Sequence, residues 1–108
     1  MSHAQRFNIY VIALDKEVLN IKKFRDRNPN YIEGKPCVYV GMTGKSPEER
    51  FKQHKSGYKA SKYPQKFGLY LRIKLFEKLN PMTFTEAKSM EGKLARALQK
   101  KGYAVWWN

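Results

Sequence analysis

Apolar positions along the chain fall into short runs whose spacing changes from one run to the next. Phe7–Leu14 is a dense stretch of β-branched and aromatic residues and predicts a strand. Asp15 can cap a helix running to about Arg27, with Glu17 early and Lys22, Lys23, Arg25 and Arg27 late, as the helix dipole prefers. Asn28-Pro29-Asn30 ends it and Glu33-Gly34-Lys35-Pro36 is a turn, so Cys37–Gly41 follows as a second strand. That strand is apolar on both faces and is expected to be central. Ser46 as N-cap, Pro47 at the first helical position and Glu49 three residues on from the cap predict a helix to Ser56, stopped by Gly57. Tyr58–Phe67 reads as a basic, aromatic-bearing connection. Leu69, Leu71, Ile73 and Leu75 alternate with Tyr70, Arg72 and Lys74, the period of a half-buried strand with a basic outer face. After Asn80-Pro81, Thr83 or Thr85 can cap a long helix to about Lys101, closed by Gly102. The order is β-α-β-α-β-α.

Composition narrows the partners. The 108 residues suffice for one domain, residues 1–108, and 42% hydrophobic residues can fill a core. Lys and Arg number 22 against 9 Asp and Glu, a net charge of +13 that points to a polyanion such as nucleic acid. Cys37 is the single cysteine, so no internal disulfide forms and a reducing compartment fits. The longest apolar run, Ile9–Leu14, is far short of a membrane span, and Met1–Arg6 carries no leader core. A cytoplasmic protein, at the nucleoid when bound, is the expectation.

Three features carry candidate chemistry. At about 100° per residue, Ala87, Leu94, Ala95 and Leu98 surround Glu91 on one face of the last helix, while Glu86, Lys93, Arg96 and Lys100 lie opposite. A carboxylate in an apolar stripe needs a cation, either a structural Arg or Lys or a bound metal ion. Arg50 and His54, four residues apart, share a helix face, a spacing that in isolation usually marks ordinary surface. Tyr10 and Tyr39 stand one on each apolar strand, where packing alone also explains tyrosine.

Taken in order, these residues resemble the GIY-YIG nuclease superfamily, in its small stand-alone bacterial form. Asn8-Ile9-Tyr10 occupies the place of the first tripeptide and Tyr39-Val40-Gly41 that of the second. Arg50 and His54 follow on the next helix, as in phage homing endonucleases of the superfamily. Thr85–Glu91 is similar to the stretch leading to the metal-binding glutamate of bacterial excision-repair incision nucleases, and Asn108 stands where the family often has a closing asparagine. Tyr39–His54 is the most specific segment, and the likeness runs from Phe7 to Asn108. Three departures accompany it. Asn8 replaces the first glycine, a helical insertion separates the tyrosines, and Met42 replaces a lysine, so that Lys45 or another base has to supply the missing charge.

The resemblance implies an α/β fold, a small central antiparallel three-stranded sheet flanked by helices, with a helical insertion between the first two strands. It implies a metal-dependent endonuclease in which Tyr10, Tyr39, Arg50, His54 and Glu91 are catalytic and meet on one face of the sheet. Glu91 would hold one divalent ion, Mg²⁺ or Mn²⁺. Arg50 would grip the scissile phosphate, one of the tyrosines would act on the attacking water, and His54 would assist proton transfer. Gly41 and Asn108 would support the site. Lys45, Lys52, Lys55, Lys59, Lys62, Lys66, Arg72 and Lys74 are expected to contact phosphates. DNA is the first substrate expected and RNA the second, and a chain this small is expected to act with low sequence specificity, to recognise structure, or to depend on a homodimer or a targeting partner. The rival readings are an inactive nucleic-acid-binding module of the same fold and a basic structural component of a ribonucleoprotein.

Overall fold

The computed structural model describes residues 5–108; residues 1–4, which fall in the stretch read above as lacking a leader core, lie outside them. The two apolar runs become long adjacent strands, β1 (Asn8–Leu14) and β2 (Cys37–Thr43), paired antiparallel from Asn8↔Thr43 to Leu14↔Cys37. Alternation along both places Tyr10, Ile12, Tyr39 and Gly41 on one face and Ile9, Val11, Val38 and Val40 on the other. Nearly every side chain of both strands is buried, which explains why neither shows a polar face in the sequence. The insertion between them is helical, as expected, but not one helix. Asp15 caps a 3-10 turn, Lys16–Asn20, by accepting from the Glu17 amide; the extended Ile21 interrupts, and α1 is only Lys22–Asp26. Helix α2, Pro47–Ser56, has the predicted ends: Ser46 accepts from the Glu49 amide, and Gly57 adopts a left-handed φ of 90°. Helix α3, Lys62–Phe67, forms inside the segment read as a plain connection. Helix α4, Phe84–Lys100, starts with a full capping box between Thr83 and Glu86 and packs along β1, β2 and the last strand.

Two expectations about the sheet are corrected. It has four strands in the order β3-β1-β2-β4, with β3 at Gly68–Leu71 and β4 at Ala104–Trp106, the latter parallel to β2. Three residues are too few to give a period, so β4 has no signature of its own. The alternating Leu69–Leu75 is not one strand: β3 is Gly68–Leu71, followed by a 3-10 turn at Ile73–Leu75. The register slips between Ala13 and Leu14, Ala13 facing Tyr70 and Leu14 facing Gly68, so Leu69 is the extra residue of a bulge and the phase of the alternation is lost. Leu69 and Ile73 are exposed as a result. β3 cannot extend further along β1, since that edge is already occupied. The Asn80 side chain bonds both the N–H and C=O of Ile9, like one residue of a neighbouring strand, and Met82 bridges Phe7. Asn28 does the same at the opposite edge, taking the N–H and C=O of Val105 while binding Gln99 of α4. Among the described residues no helix is long and apolar enough to cross a membrane.

Candidate active site

Tyr10 and Tyr39 project from the same sheet face, and α2 lies over them. The Tyr10 ring centre is 6.2 Å from that of Tyr39, and the His54 ring is 5.9 Å from Tyr10 and 5.5 Å from Tyr39. Gly41 sits opposite Tyr10 in register, and a Cβ there would collide with the Tyr10 hydroxyl. The glycine is therefore required sterically, as the floor on which the Tyr10 phenol rests. Tyr39 is held differently, its hydroxyl accepting from Asn108 Nδ2 at 3.2 Å.

His54 is completely buried, so both ring nitrogens must find partners. The Ser61 amide N–H donates to Nδ1 at 3.1 Å. In the neutral ring the proton is then on Nε2, which lies 2.8 Å from the Tyr10 hydroxyl and donates to its oxygen. Burial, with the Arg50 charge adding to it, lowers the His54 pKa to about 4, so the ring is neutral at pH 7. Ser61 meets His54 through its backbone amide, and its side chain, beside Tyr39, opposes the rise that burial imposes on the Tyr39 pKa.

Arg50 lies beside this group with its guanidinium turned onto the loop after α2. It donates from Nη1 to Gln53 Oε1 (3.2 Å) and to the Tyr58 carbonyl (3.3 Å), and from Nη2 to the Lys59 carbonyl (2.8 Å). Of five N–H groups three are used, leaving Nε–H and one N–H of Nη2. Beside it opens a cavity of 550 Å³ that Lys45 and Lys59 also line, together with Thr43, Gly44, Gln53 and Tyr58. Asn8, in place of the first glycine, donates from its side chain to the Lys45 carbonyl and ties down this rim.

Glu91 lies in the row Ala87–Glu91–Ala95–Leu98 of α4, its three companions buried and itself half-buried. Among the described residues it has neither an ion pair nor a hydrogen bond, since the only salt bridge joins Lys22 to Asp26 on the surface. Burial raises its pKa, Lys88 opposing. The structural salt bridge that could have explained Glu91 is thus missing, and the carboxylate remains free for a cation. Its charge reaches both tyrosines, raising their pKa values, while Arg50 lowers both; burial is the largest effect and leaves each phenol above its ordinary value.

No group of three or more His, Cys, Asp or Glu side chains converges among the described residues. A single carboxylate is a fitting anchor for a hard divalent ion whose remaining positions are filled by water and substrate oxygens. The expected lysines divide into groups. Lys45 and Lys59 join Arg50. Lys52, Lys62 and Lys66 are exposed on α2 and α3, the last two over the Tyr63 and Phe67 rings. Lys55 is already engaged, its ammonium donating to the carbonyls of Gln65 and Gly68 and tying α3 to α2. Arg72 and Lys74 border other clefts, at the β3 side of the sheet.

No curated protein and no solved structure gives a significant match to the chain. The family model described as the GIY-YIG catalytic domain matches residues 30–104, which take in Tyr39, Arg50, His54 and Glu91 but not Tyr10 or Asn108. Structure supplies what lies outside the match, since Tyr10 is bonded to His54 and Asn108 to Tyr39. The chain belongs to the GIY-YIG family of catalytic domains, nucleases that act on nucleic acid and typically use divalent metals.

Proposed function

We propose that this protein is a divalent-metal-dependent endonuclease that hydrolyses phosphodiester bonds in DNA, with Tyr10, Tyr39, Arg50, His54 and Glu91 as its working residues. The observation that carries the reading is the half-buried Glu91, unpaired among the described residues, beside a tyrosine pair clamped under α2. Glu91 would anchor a Mg²⁺ or Mn²⁺ ion, which when bound supplies positive charge to the phosphoryl and leaving oxygens. Arg50 offers its two remaining donors to the scissile phosphate and holds the loop in place with the other three. Tyr10 accepts a proton at Oη as the phenolate, a form that burial disfavours and that the Arg50 charge and a cation at Glu91 would favour, its own proton leaving first to solvent. Water oxygen bonds to phosphorus, the P–O bond to the leaving alkoxide breaks, the water proton passes to the Tyr10 phenolate, and the alkoxide takes a proton from solvent. His54 does not take that proton. Its Nε2–H donates to the Tyr10 oxygen and stabilises negative charge there, and the Ser61 amide keeps the proton on Nε2. Asn108 orients Tyr39, the second phenol of the pair.

The test is incubation of supercoiled plasmid with the protein in Mg²⁺, Mn²⁺ or chelator, with an RNA transcript in parallel. Nicking or linearisation of the plasmid that needs the metal and outpaces RNA cleavage is the expected result. Binding without cleavage in either metal would leave a non-catalytic module, and preferential RNA cleavage would reverse the substrate assignment.

A further inference from the structure

We infer that Arg27, held between Trp106 and Trp107, forms a second phosphate-binding point for the nucleic-acid backbone, at the β4 edge of the sheet. The inference rests on the nuclease reading above and extends the substrate's path beyond the scissile bond. Trp106 pairs in register with Tyr39, and Asn108, two residues on, bonds the Tyr39 hydroxyl. The C-terminal strand therefore connects the tyrosine pair directly to Arg27.

The guanidinium carbon of Arg27 is 4.2 Å from the centre of the Trp106 ring and 4.6 Å from that of Trp107. Stacking of this kind fixes the plane of an arginine while leaving its edge donors free. Among the described residues the Arg27 side chain has no hydrogen bond and no acidic partner, unlike Arg50 or Arg25, whose guanidinium groups bond carbonyls. Phe24 stacks on Trp106 and Tyr63 meets it edge-on, so the ring that carries the arginine is itself fixed. Among the described residues the Tyr63 hydroxyl is buried without a partner; burial raises its pKa and the nearby Arg27 charge opposes the rise.

Arg27 also borders a cleft of about 400 Å³ to which α4 contributes Arg96 and Lys100 and which no acidic residue lines. Three cations and no counterion describe a site for a polyanion. The planar fork of Arg27 matches phosphate oxygens, and the two lesser cations sit on the same rim. Arg27 is half-buried, and the stacking that holds its plane against the two indoles leaves its edge donors for an anion.

Trp106 and Trp107 are the only tryptophans in the chain, which makes the test direct. A short labelled DNA duplex is titrated into the protein in chelator over a range of salt, following both the label and tryptophan emission. Emission should change on saturation of the wild type. Arg27→Gln should lower the slope of log affinity against log salt by about 0.9, the loss of one phosphate contact. Lys100→Gln, on the open rim where no packing is at stake, should lower it as well and guards against a misfolded Arg27→Gln. Unchanged slopes in both variants, or tryptophan emission indifferent to bound DNA, overturn the inference. Unchanged slopes beside intact plasmid cleavage would sink only the Arg27 contact. Reduced slopes in a protein that never cuts would sink the nuclease reading and leave the contact standing.

Discussion

At the scale of single residues, Glu91 shows how far a helical wheel can be trusted. Spacing alone places it among Ala87, Ala95 and Leu98, and the fold keeps it there, yet half-buried rather than sealed. What the wheel cannot give is the partner, because partners come from other elements; only the folded chain shows that, among the described residues, no Lys or Arg pairs with it. The same limit applies to His54, legible as a neighbour of Arg50 but not as a ring caught between Tyr10 and the Ser61 amide. In sequence Arg27 is only a charge suited to a helix end, because nothing there shows the two indoles closing on it. For Glu91 the raised pKa has a consequence that can be measured. A carboxyl whose folded pKa exceeds its unfolded value binds its proton more tightly when folded, so its stabilising contribution is present below the unfolded value and lost as pH rises through the folded one. At neutral pH the ionised group therefore opposes folding until a cation arrives. Glu91→Gln should abolish metal-dependent cleavage, leave the metal-free protein at least as stable as wild type, and remove any rise in melting temperature on adding Mn²⁺. A variant that still cuts would refute the metal anchor, and one that unfolds would restore a structural role.

At the scale of elements, α2 carries the most because both of its ends are written in local code. Ser46, Pro47, Glu49 and Gly57 set its limits, so the placing of Arg50 and His54 on one face was readable before any tertiary contact was known. Elements lacking such code were misread. The bulge at Leu69 and the strand-like use of Asn80 depend on β1, and the periodicity of Leu69–Leu75 carried no trace of either. The loop after α2 is a further case. Arg50 holds its carbonyls at Tyr58 and Lys59, and the Ser61 amide in turn sets the His54 tautomer, so the two α2 residues act through one strap. Lysine in place of Arg50 keeps the charge but cannot grip two carbonyls and a phosphate together. Arg50→Lys should lower single-turnover cleavage by at least ~10-fold, about 1.4 kcal/mol of transition-state stabilisation, with little change in DNA affinity. Combined with His54→Ala, the effects should fall short of additive, because each variant loosens the same strap. Full additivity would mean that the loop does not couple them, and wild-type rates in Arg50→Lys would return the pair to ordinary helix surface.

For the whole molecule, the excess of 13 positive charges was plain from composition, but which cations are available to a ligand was not. Folding sorts them by what their head groups already hold. Lys55 has its ammonium on the carbonyls of Gln65 and Gly68, closing the end of α3 against α2. Lys59, four residues along, stands in a left-handed backbone conformation with its side chain exposed at the cavity beside Arg50. In sequence the two are indistinguishable, both basic and both next to the helix end. Their removal should have opposite signatures. Lys59→Ala should leave melting unchanged and reduce the salt dependence of DNA binding by about one phosphate contact, equally across sequences. Lys55→Ala should leave the salt slope near that of wild type and instead lower stability by roughly 1 kcal/mol, the usual net value of a hydrogen bond, raised somewhat because the donor is charged. Thermal melts and salt titrations of the two variants, run with the same duplex, decide it. A salt slope that drops equally for both would mean that DNA senses only the total charge of +13, and the division between engaged and available lysines would have no functional weight.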